Sequence, residues 1–170
     1  MNPRETLISW LRDVHAMEGH SIALLESQIS RFDEYPEMLH GLKEHLEESR
    51  EQQAQVDSCL RQMGEHSSTL KDASMVIGAN IQSFVHAMSS DEILKQAIAS
   101  NAFEHFEASS YRVLASTAEA CGEPDIARVC QDMMKQELVM ADWIFDRIPQ
   151  LTERYFSLEE EEDLVGRNRR

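Results

Sequence analysis

Four glutamates stand where apolar residues are expected. Glu18 and Glu48 lie 30 residues apart, and Glu107 and Glu137 repeat that spacing. Each interrupts a hydrophobic stripe of helical period, so each is expected to face a core rather than solvent. Burying carboxylates together is costly unless cations or protons neutralise them. Inward carboxylates at one level of a four-helix bundle can bridge two divalent ions roughly 3.5–4 Å apart. The spacing therefore points to a dinuclear carboxylate metal site.

The segments that carry these residues read as two helical hairpins. The first helix is predicted from Pro3 to about Arg31, with Asn2 as N-cap, Pro3 in the first position and Glu5 completing a capping box. Its stripe is Leu7/Ile8, Leu11, Val14, Glu18, Ile22, Leu25 and Ile29. After a turn at residues 32–35, Pro36 opens a helix that ends near Met63, with Gly64 as the residue past its end. Its stripe is Met38, Leu42, His45, Glu48, Gln52, Val56, Cys59/Leu60 and Met63, unusually polar in the middle. Residues 65–90 are too apolar for a floppy linker and are predicted to form a crossover with a short helix from about Ser68 to Met88. A third helix, capped by Ser89 or Ser90, runs to Cys121 before Gly122, and Pro124 opens a fourth that reaches about Arg147. Pro149 is expected to break or kink the chain. The fold expected is all-α: a four-helix bundle of two antiparallel hairpins over residues 1–156, then a charged tail over 157–170.

Depth supports a shared level. Glu18 is about 13 residues before its turn and Glu48 about 12 after, which puts both roughly 18–20 Å from it. Glu107 and Glu137 are placed alike about the second turn. Glu51, one turn after Glu48, and Glu104, one turn before Glu107, are candidates for the remaining coordination positions. Tyr111 either hydrogen-bonds a ligand or fills core. His15 and His45, each one turn before a glutamate, either ligate the metal, orient a ligand or sit as hydrogen-bonded core histidines. His105 is rotated away, and His20, His40, His66 and His86 show no pairing. The methionines read as packing.

Composition bounds the rest. The 170 residues carry 31 acidic and 16 basic side chains, a net charge of −15. That balance argues against nucleic-acid binding, which needs a cationic surface. No apolar run is long enough for a membrane span, and the N-terminal residues do not read as a signal peptide. Cys59, Cys121 and Cys130 are widely spaced and odd in number, which suits free thiols in a reducing cytoplasm.

These segments resemble the YciE/YciF-type branch of the ferritin-like superfamily. The likeness rests on residues 13–18, on His45-Leu46-Glu47-Glu48-Ser49-Arg50-Glu51-Gln52, on Glu104-His105-Phe106-Glu107-Ala108-Ser109-Ser110-Tyr111, and more loosely on Glu137 with Met140-Ala141-Asp142-Trp143. It implies a ferritin-like bundle with a di-iron-type centre and a link to bacterial stress responses. Glu18 and Glu107 match the single glutamates of that superfamily, and Glu48 and Glu137 those of its Glu-x-x-His motifs. The chain departs from the pattern at Glu51 and Met140, where histidines are expected. Glu104 is the residue placed to compensate. Oxygen donors favour hard cations, iron or manganese, over copper.

Two functions compete. One is a redox metalloprotein in which two irons meet oxygen or peroxide. The other is a non-enzymatic stress or interaction protein whose metal is structural and whose apolar helix face forms a homodimer or binds a partner. A metal-free bundle with protonated carboxylates is the third arrangement.

Overall fold

The computed structural model describes residues 2–65 and 92–168. Four helices make up the described chain: α1 (Pro3–Ile29), α2 (Pro36–Gln62), α3 (Glu92–Ala120) and α4 (Pro124–Asn168). The expected crossover and the cap of α3 lie outside the described residues. Local chemistry sets the boundaries. The Asn2 side chain accepts from Glu5 N at 2.9 Å, and Asn2 N donates back to Glu5 Oε2 at 3.1 Å, so two otherwise unpaired donors are satisfied at once. Prolines at the first positions of α2 and α4 lose no hydrogen bond there. Gly64 and Gly122 adopt φ of 85° and 73°. Each lets the following amide turn back onto the helix: Glu65 N donates to Leu60 O at 3.0 Å and Glu123 N to Ala118 O at 2.9 Å. A side chain at either glycine would be strained.

α1 packs on α2 and α3 on α4, the hairpins expected, and α1 meets α3 while α2 meets α4. The α2–α4 contact is the sparsest of these four. One dry cluster joins Leu7 and Leu11 of α1 to Leu60 of α2, Leu114 of α3 and Ile126 of α4. The second, at the other end, joins Leu25, Phe32, Leu42, Ala97, Ile144 and Leu151. α2 and α3 therefore run in the same direction, which only a long connection permits. A polar layer separates the clusters.

Gly41 sits where α2 crosses the Trp143 ring, and an added Cβ would overlap that ring. Gly41→Ala is expected to cost about 1–3 kcal/mol through overpacking, measured as a lowered urea midpoint.

The structure corrects one expectation. α4 does not stop near Arg147 but continues through Pro149 to Asn168. The proline removes one backbone hydrogen bond and costs about 3 kcal/mol in a helix interior. Packing on both sides of it compensates: Ile148 before it and Leu158 after it pack on the second cluster, Leu151 is buried, and Arg154 Nε donates to Glu34 O at 3.4 Å. Glu159, Glu160 and Glu161 are exposed along the continued helix. Among the described residues, no helix is long and apolar enough to cross a membrane.

Candidate metal centre

The polar layer is built from one inward face of each helix. α1 contributes Glu18, α2 His45, α3 Glu104 and Glu107, and α4 Glu137, all with at most 2% of their surface exposed. Helical period explains why α3 supplies two: residues three apart share a face. Ligand atoms of His45, Glu104, Glu107 and Glu137 lie within 4.8 Å of one another, so this group can hold a metal ion. His45 Nε2 is 3.0 Å from Glu104 Oε2 and 3.8 Å from Glu137 Oε2. Tyr111, fully buried, donates its hydroxyl to Glu18 Oε1 and fixes that carboxylate.

The layer is short of hydrogen-bond partners. Glu18 Oε2, both oxygens of Glu107 and both of Glu137 are buried without one. Unpaired buried polar atoms are rare in folded proteins, and five in one layer fit a bound cation. Electrostatics says the same. Burial, chiefly, pushes the Glu18 carboxyl up to about 7, against the Tyr111 hydrogen bond. Burial and then the charge of Glu104 lift Glu137 to about 10. Glu107 is raised well above the carboxylate range by burial and by the charges of Glu18, Glu104 and Glu137. Burial opposes charge on His45, yet Glu104, Glu48 and Glu137 outweigh it and raise its pKa to about 10. Without metal, this layer holds protons at neutral pH.

Sequence-predicted residues divide between the layer and its surroundings. Glu18, Glu104, Glu107 and Glu137 are buried in it, and Tyr111 supports it. Glu48 is not inside: its side chain keeps 36% exposure and its Oε2 lies 3.3 Å from His45 Nδ1. Glu51 is exposed. His15 is half-buried, its carbonyl accepting from Gln53 Nε2 at 3.3 Å and its ring influenced by Asp57. Burial lowers its pKa. Met140, where a family histidine was expected, packs in the second cluster. The inward face of α2 is His45, Ser49 and Gln52. On α2, His45 is thus the innermost of these side chains, and Glu48 lies outside it against its Nδ1. Glu48→Ala is expected to weaken metal binding by about 10–100-fold without abolishing it. Equilibrium dialysis against Mn(II) would show this.

The α2 and α3 motifs sit in a bundle whose relatives can now be compared. Residues 2–157 match the family described as Domain of unknown function (DUF892). The chain belongs to this family. A crystal structure of a protein from Xanthomonas campestris pv. campestris is 30% identical, with the match covering 94% of this chain and 99% of that one, and superposes with a TM-score of 0.78. The Escherichia coli stress protein YciF is 19% identical over 90% of this chain and 98% of that one, with a TM-score of 0.76. YcfI from Rhodopseudomonas palustris is 20% identical over 85% and 93%, with a TM-score of 0.68. The DUF892 chain thus has the fold of the YciF-type ferritin-like branch that its helix motifs resemble.

Proposed function

We propose that this DUF892 protein is a ferritin-like metalloprotein whose polar layer holds two metal ions, iron or manganese, and oxidises Fe(II) or reduces oxygen or peroxide. The five partnerless buried carboxylate oxygens carry the reading. Four carboxylates, Glu18, Glu104, Glu107 and Glu137, bring up to four negative charges, and two divalent cations would balance them with His45 neutral. A single ion would leave a net charge in a dry core. Iron bound there would supply the electrons that oxygen or peroxide takes up. The protein supplies the rest. Glu18, Glu107 and Glu137 hold oxygen donors on three helices, Glu104 and His45 complete the set, and Tyr111 keeps Glu18 from rotating. The dry clusters above and below keep bulk water out.

The stress description of YciF accords with detoxification as the setting. The cytoplasm is the proposed compartment, where Cys59, Cys121 and Cys130 stay reduced. Burial pushes the Cys59 and Cys130 thiols up to about 11 and about 12, which makes them inert.

The test is anaerobic Fe(II) titration of metal-stripped protein followed by oxygen or peroxide. Two irons per chain that oxidise within seconds to an oxo-bridged ferric spectrum support the proposal. Two irons that bind and oxidise no faster than free Fe(II) would replace it with a structural metal, and no binding would replace it with a protonated carboxylate layer.

A further inference from the structure

A groove of about 360 Å³ opens between α2 and α4, where the bundle packs most thinly. Its mouth carries Glu44, Glu47, Glu48 and Glu51, all from α2, and its far side is Trp143 and Val139 of α4. Its inner wall is His45, a side chain only 1% exposed. One ring nitrogen of His45 meets Glu48 at the mouth, at 3.3 Å, and the other, buried, lies 3.0 Å from Glu104 Oε2 within the layer. The same ring thus faces the groove on one side and the buried carboxylates on the other. Two further surface grooves, one around Tyr35 and Arg154 and one around Thr6 and Val113, include no residue of the layer.

We propose that the α2–α4 groove is the port through which divalent cations load the buried layer, with Glu44, Glu47 and Glu51 gathering them and the His45 ring as the inner gate. The proposal rests on the metal-centre reading and adds the route to it. A ring of carboxylates beside low-dielectric walls concentrates cations and accelerates their arrival. Glu47 is partly offset by Arg50, which also reaches Glu26 at 2.7 Å, and Glu44 lies 3.4 Å from His40 Nε2, so Glu51 carries more of the attraction. Glu48 passes the ion to His45, whose ring turns aside toward the space Glu48 vacates. Thin α2–α4 packing gives that rotation room.

Loading kinetics test the port. Co(II) is mixed with metal-stripped protein by stopped flow, in a Trp10→Phe background so that Trp143, on the groove wall, is the fluorescent reporter. The variant Glu44→Gln/Glu47→Gln/Glu51→Gln is expected to load roughly tenfold more slowly at low salt. Its rate should depend less on salt, and its final Co(II) content should match the parent. Val139→Arg, which sets a cation in the mouth, should slow loading at least as much. The control is Glu159→Gln/Glu160→Gln/Glu161→Gln, the same change in net charge on exposed positions of α4, and it should load at the parent rate. Equal rates for the groove variants and the parent, or equal slowing in the control, would overturn the port. A parent that binds no Co(II) at equilibrium would instead overturn the metal centre, and the port with it.

Discussion

Replacing both Glu107 and Glu137 with glutamine should abolish metal binding and leave the metal-free fold at least as stable as before. Affinity should fall by more than about a hundredfold, since even residues that only orient ligands are worth 10–100-fold. The direction of the stability change follows from burial. Both carboxylates are at most 1% exposed, and neither oxygen of either has a hydrogen-bond partner. Ionised, they cost the metal-free protein several kcal/mol each. Glutamine keeps their size and removes the charge. The metal-free urea midpoint of the double variant at pH 8 should equal or exceed that of the parent, while the gain in midpoint on adding Mn(II), clear in the parent, disappears. A loss of more than about 2 kcal/mol in unfolding free energy would mean that the carboxylates hold the helices together by themselves. That would contradict a layer designed around a cation.

The pH dependence should reverse when metal is added. In the metal-free chain Glu18 rises from 4.5 to about 7, Glu137 from 4.5 to about 10, and His45 from 6.5 to about 10. In each case the folded protein binds more protons than the unfolded chain across the interval between those values. Stability from these groups is then greatest below about pH 4.5 and declines as pH rises toward 10. The change at Glu18 alone corresponds to about 3 kcal/mol between pH 4.5 and pH 7, or roughly 10 °C in Tm for a chain of this size. Metal binding requires these ligands to lose their protons, so its contribution grows with pH. Thermal scans at pH 5, 7 and 9, with and without Mn(II), should diverge: the metal-free Tm falls and the gain from Mn(II) widens. Two parallel curves would refute the proton-filled layer.

Much of this was legible in residues 2–62 and 92–146. Asn2, Pro3 and Glu5 announce α1, and Gly64 and Gly122 end their helices for conformational reasons visible in the residue type. Glu18, Glu107 and Glu137 interrupt otherwise regular stripes, and they are buried. Glu48 was misleading because equal spacing weighs sequence distance, not rotation. Along the buried face of α2, positions 38, 42, 45, 49, 52, 56 and 59 alternate four and three, with 41, 46 and 60 buried beside them. In that alternation Ser49 belongs to the inward face and Glu48 stands about 100° from it. The alternation also placed His45 inside, where its nitrogens could reach both Glu48 and Glu104. Pro149 misled for a different reason. Its local cost is real, but Leu151 and Leu158 supply burial that no local rule weighs.

The polar layer also divides the hydrophobic interior into two separate lobes. The middles of α1, α2 and α3 and the Glu137 turn of α4 all lie at the layer between the lobes. In the metal-free protein the amides around Glu18, Ser49, Glu104 and Glu137 should therefore exchange with solvent deuterium as one group, ahead of those in either lobe. Seating ions between the lobes would merge three thermodynamic units into one, and the protein would then open only as a whole.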